Sequence, residues 1–298
     1  MLDPLVIAFG LGVGVLVGLT GIGGGSLMTP LLIIFAGVPP VVAIGTDLAY
    51  GAITKTVGGW RHLRQGTVDL GVSKWLAVGS VPGSLLGVLA VNRLHESYGT
   101  GFDDTLLYAI AGALIIVAAT VLGRALFMPH LLDRERHSVA LTTGVRASAA
   151  GLGFVLGGLV GMTSVGSGAL IGLALILVFR LTPHRVVGTD VFHAAVLLWS
   201  AGLAHWATGN VNLLLMANIL IGSLPGVWIG TALITKVPAN GLRPALGCVL
   251  LGSALGVLTK AGVELPAAVI VGVPVGVGLV SFALHRVRAP APPEVAPA

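Results

Sequence analysis

Long apolar stretches alternate with short polar turns along the whole chain. They cover residues 4–20, 26–36, 40–60, 72–91 and 105–123, then 145–162, 168–180, 183–205, 211–235 and 242–260, with a last stretch over 265–285. Most of them approach the roughly 20 apolar residues that a helix needs to cross a bilayer. The pattern predicts an all-α polytopic membrane protein with about seven to nine full spans plus short half-helices.

Two of these stretches, 26–36 and 168–180, are too short for a full span at about 1.5 Å of rise per residue. Each of them follows a cluster of glycines. Irregular backbone at membrane depth is tolerated where protein or a water-filled cavity surrounds it. We therefore expect one broken or re-entrant helix in each half of the chain.

The second half of the chain repeats the first at a constant offset of 143 residues, which places residue 190 over residue 47. Residues 18–25 (GLTGIGGG) align with 161–168 (GMTSVGSG), and Gly-Thr-Asp occurs at both 45–47 and 188–190. In membrane transporters such a duplication places the binding site between the two copies. The predicted organisation is repeat 1 over 1–123, a cytoplasmic linker over 124–144, repeat 2 over 145–264, an extra transmembrane helix over 265–285 and a disordered cytoplasmic tail over 286–298.

The positions of the arginines predict that the two repeats are inverted in the membrane. The turn at 61–64 is basic, but the equivalent turn at 204–207 carries no arginine, and Arg180 and Arg185 flank the earlier turn of the second half instead. Positive residues favour the cytoplasmic side, so matching turns should face opposite sides. Chance scatter of a few arginines is the alternative. By the same rule, the basic residues at 286–288 place the C-terminus in the cytoplasm.

Composition excludes a soluble protein and a nucleic-acid-binding one. The chain is 55% hydrophobic and 9% charged, whereas a soluble domain carries roughly 25% charged residues. Its Lys and Arg residues are scattered between apolar segments rather than gathered in one patch. HExxH, CxxC and P-loop motifs are absent from the sequence. We therefore expect neither an enzyme nor a protein with a cofactor or a metal site.

The glycine-rich turns are the first candidates for substrate binding. Glycine lets a ligand approach backbone N–H groups, and the N-terminus of the following helix attracts anions. The alternative is close helix packing through small residues, which is common in membranes. The candidate residues are Thr20, Gly23, Gly24, Gly25, Ser26, Thr163, Ser164, Gly166, Ser167 and Gly168.

The two Gly-Thr-Asp triplets are the second candidates. Each aspartate lies about two turns into a helix that begins at a proline, and ionisable groups at that depth are functional by default. Helical spacing puts Tyr50 on the face of Asp47, with Lys55 beside it, and His193 on the face of Asp190. The alternative is a structural network in which Lys55 neutralises Asp47 and His193 neutralises Asp190. This second candidate set is Thr46, Asp47, Tyr50, Lys55, Thr189, Asp190 and His193.

Two histidines at helix ends, His62 and His205, form a weaker pair of candidates. Histidine at a helix end commonly serves as a cap, and the neighbouring Trp60 and Trp206 are typical of interface anchors. A binding role for the two histidines is the other interpretation, because they match across the duplication.

In combination, these motifs resemble the TauE/SafE family of sulfite exporters. The resemblance rests on the GLTGIGGGS turn, the Gly-Thr-Asp triplets and the stretch WRHLRQGTV at 60–68. It implies a bacterial or archaeal inner-membrane carrier of sulfite, organosulfonates or related small anions. By motif match, the glycine-rich turns and the His-x-x-x-Gly-x-Val stretches beginning at His62 and His205 are family features. Asp47 and Asp190 depart from the Ser or Asn that members commonly carry after Gly-Thr.

We therefore expect a multi-pass secondary transporter in the cell inner membrane that exports a small sulfur oxyanion by alternating access. Proton coupling is one role open to its two acids. The alternative is a cation or metal transporter that uses Asp47 and Asp190, and a membrane enzyme or structural subunit is the third option. The expected partners are the lipid bilayer and a small anionic substrate, with a homodimer left open and no nucleic acid.

Overall fold

The structure is a computed structural model that describes residues 3–20, 25–127, 139–233 and 239–288. Within these ranges the chain is helical and contains no β-strand. The helices are α1 (Pro4–Thr20), α2 (Gly25–Ile34), α3 (Pro40–Arg64), α4 (Leu70–Tyr98), α5 (Thr100–Phe127), α6 (Thr143–Thr163), α7 (Ala169–Leu177), α8 (Pro183–Ala207), α9 (Leu213–Leu233), α10 (Ala239–Lys260) and α11 (Ala267–Arg288).

Five of the described helices, α4, α5, α6, α8 and α9, are long and apolar enough to cross a membrane. Helix α3 has the same 25-residue length as α8, but Asp47, Lys55 and a basic last turn make it less apolar. The all-α prediction is confirmed, and so are the short helices α2 and α7, of 10 and 9 residues. The expected total of full spans stays a prediction.

Local sequence signals explain where the long helices begin and end. Prolines occupy the first positions of α3 and α8, where the missing N–H has no intrahelical partner to lose. The Asp69 side chain caps α4 by accepting a hydrogen bond from Val72 N at 3.0 Å. Gly66 and Gly209 follow α3 and α8 with φ of 66° and 77°, a region that favours glycine.

Two pairs of parallel helices join the halves through stripes of glycine. Helix α4 packs on α6, and α1 packs on α9. The sequence repeat makes the contact positions of the second pair equivalent to those of the first pair. A Cβ atom on any of these glycines would overlap a backbone carbonyl oxygen of the partner helix, so the backbones touch directly. The glycines are Gly79, Gly83 and Gly87 with Gly153, Gly157 and Gly161, and Gly10, Gly14 and Gly18 with Gly222, Gly226 and Gly230.

In two other pairs, each helix packs on its equivalent in the other half of the chain, and the two helices of a pair run antiparallel. Gly45, early in α3, lies beside His205, late in α8, whereas Gly59 lies beside Phe192. In the same way α5 runs antiparallel to α10, and the Tyr108 hydroxyl donates to the Ala261 carbonyl at 3.1 Å. Among the described helices, the four most extensive interfaces (α4 with α6, α1 with α9, α3 with α8 and α5 with α10) therefore join one half of the chain to the other.

Helix α2 folds back along α1. The Phe9 and Phe35 rings are 5.3 Å apart, so the residue after α2 lies beside the first half of α1. Residues 21–24, which connect the two helices, lie outside the described residues. The start of α2 lies beside Asp47 of α3, because a Cβ on Gly25 would stand 3.7 Å from the Asp47 Oδ2 atom.

Candidate functional site

The starts of the two short-helix segments meet at Asp47 of α3. Its Oδ2 atom accepts hydrogen bonds from Thr29 Oγ1 at 2.6 Å and from Ser164 Oγ at 2.5 Å. The Ser164 carbonyl oxygen lies 3.1 Å from where a Cβ on Gly25 would stand, so the two segments are in contact. Asp47 has no solvent exposure. One carboxylate therefore ties together α2, α3 and the turn after α6.

Ser164 reaches Asp47 because of an uncommon backbone conformation. It follows α6 with φ of 62° and ψ of −7°, in the left-handed region that a non-glycine residue rarely occupies. Its N–H still bonds to the Val160 carbonyl, which closes the last turn of α6. The chain turns sharply at this point, and the Oγ atom points towards α3.

The second carboxylate, Asp190 of α8, has a different environment from its equivalent in α3. The positive charges of Lys55 and Arg124 act on it from α3 and α5. Arg124 also lies against α7, since its Nη1 atom would be 3.9 Å from a Cβ on Gly172. Hydroxyl groups thus hold Asp47, whereas cations face Asp190.

This pairing differs from the structural network considered from sequence. That alternative pairs Lys55 with Asp47 and His193 with Asp190, but the Lys55 charge acts on Asp190 and on His193. The His193 Nε2 atom lies 2.9 Å from Ser80 Oγ of α4. Tyr50, the equivalent of His193, has Ser223 of α9, the equivalent of Ser80, as its neighbour.

Thr46 and Thr189 each hold a turn in the other half of the chain: the turn before α9 for Thr46 and the turn before α4 for Thr189. Thr189 Oγ1 accepts from Asp69 N at 2.8 Å, and Thr46 Oγ1 accepts from Asn212 N at 3.0 Å. Each contact joins a helix of one half to a turn of the other. These hydroxyls therefore serve the packing of the two halves in this conformation.

The two histidines at helix ends make contacts of different kinds. His62 Nδ1 lies 3.0 Å from Thr67 Oγ1, and His205 Nε2 lies 3.0 Å from the Gly161 carbonyl oxygen. His205 is completely buried, whereas His62 is partly exposed. The His62 contact is local and agrees with a role in closing the end of α3, whereas the His205 contact joins the end of α8 to α6.

A cavity of about 210 Å³ lies between α3 and α8, next to Asp47. Five residues predicted from sequence line it: Gly25, Asp47, Lys55, His62 and Ser164. The other lining residues are Thr54, which helical spacing places on the face of Asp47, and seven small or apolar residues that carry no motif: Val17, Gly51, Gly58, Val187, Val191, Leu198 and Val227.

The other predicted residues lie outside this lining or outside the described part of the chain. Gly23 and Gly24 lie outside the described residues, as does the side chain of Thr20. Thr163 closes α6, with Oγ1 donating to the Leu159 carbonyl at 2.7 Å. Ser26, Ser167 and Gly168 lie at the starts of α2 and α7, and Gly166 turns the chain before α7 with φ of 103°.

Comparison with known proteins gives consistent matches over nearly the whole chain. The family model described as "Sulfite exporter TauE/SafE" matches residues 6–257. The probable membrane transporter protein YjnA of Bacillus subtilis is 38% identical over 250 residues, which cover 84% of this chain and 97% of that protein. The probable membrane transporter protein MJ0441 of Methanocaldococcus jannaschii is 26% identical over 275 residues, or 87% of this chain and 94% of that protein. No solved structure matches the chain.

Proposed function

We infer the function from one premise: this chain belongs to the sulfite exporter TauE/SafE family of membrane transporters. We propose that it is a secondary transporter that exports sulfite, an organosulfonate or a related small sulfur oxyanion. The observation that carries the proposal is Lys55, a buried ammonium group in the wall of the cavity. Among the described residues, no hydrogen-bond partner reaches its Nζ atom.

The location of Lys55 favours an anion as the substrate. A buried charge is costly at membrane depth and is retained where it meets a substrate or a counter-charge. Gly25 at the start of α2 lines the same cavity, and the positive end of a helix attracts anions. We propose that the anionic group binds between Lys55 and the start of α2.

The helix directions support two inverted repeats and transport by alternating access. Equivalent helices α3 and α8 run antiparallel, as expected when a two-fold axis in the membrane plane relates the halves. The cavity extends along α3 from Asp47 to His62, beside the basic turn at 61–64 that we place in the cytoplasm. A cavity that opens to the cytoplasm suits the loading of an exported substrate. If the two halves exchanged their conformations, the cavity would open on the opposite side of the membrane, towards His205.

Proton coupling and membrane location are further parts of the proposal. Asp47, Asp190 and His193 are buried near the cavity, and a proton bound by any of them changes the charge that the substrate meets. We place the protein in the cell inner membrane as a multi-pass protein with a cytoplasmic C-terminus, following the distribution of positive residues.

A cation or metal transporter is the second candidate. It is favoured by the Oδ1 atoms of Asp47 and Asp190, which are buried and have no hydrogen-bond partner among the described residues. Lys55 opposes it, because a cation in the cavity would lie near another positive charge.

Sulfite flux in proteoliposomes tests the proposal. Lys55→Ala and Asp190→Asn should each reduce uptake of radiolabelled sulfite or sulfonate by about tenfold or more, since a buried charged contact is worth at least 1.4 kcal/mol. Lys74→Ala, at an exposed position on α4, is the matched control and should keep the flux. Normal flux in both test variants would rule out the proposed binding site. Flux that follows a metal gradient but not sulfite would favour the second candidate.

A further inference from the structure

His62 and His205 are equivalent in the sequence repeat, and one ring nitrogen makes an equivalent contact in both. His62 Nδ1 lies 3.0 Å from Thr67 Oγ1, and His205 Nδ1 lies 3.4 Å from Asn210 Nδ2. Thr67 and Asn210 each follow their histidine by five residues and are themselves equivalent. The Nδ1 contact is therefore common to the turns that follow α3 and α8.

The Nε2 atoms of the two histidines, in contrast, have different environments. His205 Nε2 lies 3.0 Å from the carbonyl oxygen of Gly161, near the end of α6, and His205 is completely buried. A carbonyl oxygen only accepts hydrogen bonds, so His205 Nε2 must carry a proton. His62 is partly exposed and lines the cavity, and its Nε2 atom has no hydrogen bond to the described residues.

The cavity lies where the equivalent contact of His62 would form. The glycine that corresponds to Gly161 in the repeat is Gly18, near the end of α1. Val17, the residue before Gly18, lines the same cavity as His62. The contact between histidine and glycine is thus closed in the second half of the chain, whereas the cavity lies between its two members in the first half.

The closed contact belongs to a wider set of contacts at the same end of the molecule. Asn210 Nδ2 donates to Asn92 Oδ1 of α4 at 2.5 Å. A Cβ on Gly45 of α3 would overlap the Asn210 carbonyl oxygen and stand 3.1 Å from His205 Cβ. Helices α3, α4, α6 and α8 are therefore held together around His205.

The end of α6 connects this closed contact to the charged wall of the cavity. Gly161 lies three residues before Ser164, whose Oγ atom donates to Asp47 Oδ2 at 2.5 Å. A movement of the end of α6 away from His205 would also move the donor that binds Asp47. Closure on the side of His205 is therefore linked to the hydrogen bonds of the cavity.

We infer that His205 and His62 are gating residues that close the two sides of the transport pathway in turn. In the described conformation, His205 Nε2–H bonds to the Gly161 carbonyl and closes the outer side. In the opposite conformation, His62 Nε2–H bonds to the Gly18 carbonyl and closes the side that we place in the cytoplasm. The inference rests on the proposed alternating access and names the contacts that hold each conformation.

Cysteine labelling of the full-length protein in membrane vesicles, without substrate, tests the inference. In a Cys248→Ala background, the reporters are Thr54→Cys in the cavity wall and Leu197→Cys, its buried equivalent in α8. The quantity measured is the rate at which an impermeant thiol reagent labels Leu197→Cys from outside, divided by the rate for Thr54→Cys from the cytoplasm. His205→Ala leaves the Gly161 carbonyl buried without its donor in the described conformation. We expect it to raise this ratio by about fivefold or more.

A second substitution distinguishes gating from a general loss of structure. His62→Ala removes the donor that holds the opposite conformation, so adding it to His205→Ala should return the labelling ratio towards the native value. His205→Gln keeps an N–H donor at the end of the side chain and should restore most of the native ratio. His184→Ala, at an exposed position at the start of α8, is the matched control and should leave the ratio unchanged.

The outcomes separate this inference from the proposed function. An unchanged ratio in His205→Ala would overturn the inference, and so would a ratio that stays raised after His62→Ala is added. Equal increases in the labelling rates of both reporters would also overturn it, because a loosened fold exposes both. Sulfite flux by the Cys248→Ala protein together with an unresponsive ratio would leave the proposed transport intact. If neither sulfite nor a sulfonate moves, the proposed function fails, whereas the labelling ratio still decides the gating role.

Discussion

Each Gly-Thr-Asp triplet combines three different contacts in three consecutive residues. In the first triplet, Gly45 lets the Asn210 carbonyl approach closely, and Thr46 accepts from Asn212 N. Asp47, the next residue along α3, lines the cavity. The middle residue thus fixes the packing of the halves. The last one uses its Oδ2 atom to hold the Thr29 and Ser164 hydroxyls, and its Oδ1 atom has no hydrogen-bond partner among the described residues.

The threonine contact can be tested by removing only its hydroxyl. Thr189→Val should lower the free energy of unfolding by about 1–3 kcal/mol, because the buried N–H of Asp69 loses its acceptor. Thermal unfolding in detergent measures the loss. Thr46→Val should show a smaller one, because Asn212 is exposed and water can replace the acceptor of its N–H. Thr189→Ser keeps the hydroxyl and is the control. Equal stability of the Val and Ser variants would contradict the anchoring role.

At the scale of helices, the glycine stripes explain why the two halves interlock. The stripes of α4 with α6 and of α1 with α9 repeat every four residues, which keeps them on one helix face. Without a hydrophobic driving force in lipid, association depends on such close backbone contact. Close helix packing, the alternative interpretation of the small residues, therefore accounts for these stripes. Gly25, in contrast, borders the cavity.

Two alanine substitutions on one helix separate close packing from helix propensity. Gly157→Ala should destabilise the protein by about 1–3 kcal/mol, because its Cβ would overlap the Ser80 carbonyl oxygen. Gly151→Ala, with nothing within 4 Å of its Cβ, should instead stabilise the same helix by about 0.5–1 kcal/mol. The unfolding temperatures of the two variants in detergent, each compared with that of the native protein, measure the two effects. A stabilised Gly157→Ala variant would show that the helices are farther apart than the structure has them.

The sequence predicted the positions of the elements better than their contacts. The expected stretches 40–60 and 183–205 begin at the first residues of α3 and α8, since a proline fixes each start. Spacing along one helix suggested Lys55 as the partner of Asp47. The observed donors are 18 and 117 residues away in the chain. Such contacts depend on which glycine stripe packs against which, and periodicity within a helix carries no information about its partner.

At the scale of the whole molecule, the helix directions make a prediction about the two membrane faces. Residues 65 and 208 occupy equivalent exposed positions just after α3 and α8, which run antiparallel. In a Cys248→Ala background, Gln65→Cys and Thr208→Cys should react with a membrane-impermeant thiol reagent from opposite sides, with residue 65 in the cytoplasm. Cys248 is the single native cysteine, so the background is free of other thiols. Labelling of both positions from the same side would contradict the inverted arrangement.

The crosswise glycine contacts also govern how the protein is made. A ribosome delivers the first half to the membrane before α6 and α9 exist, so α4 and α1 enter the lipid with their glycine faces uncovered. Neither face finds its proper neighbour until the later helices are synthesised. Assembly therefore cannot proceed as two halves that mature one after the other, and a chain cut short after α5 would leave both faces open to incorrect association.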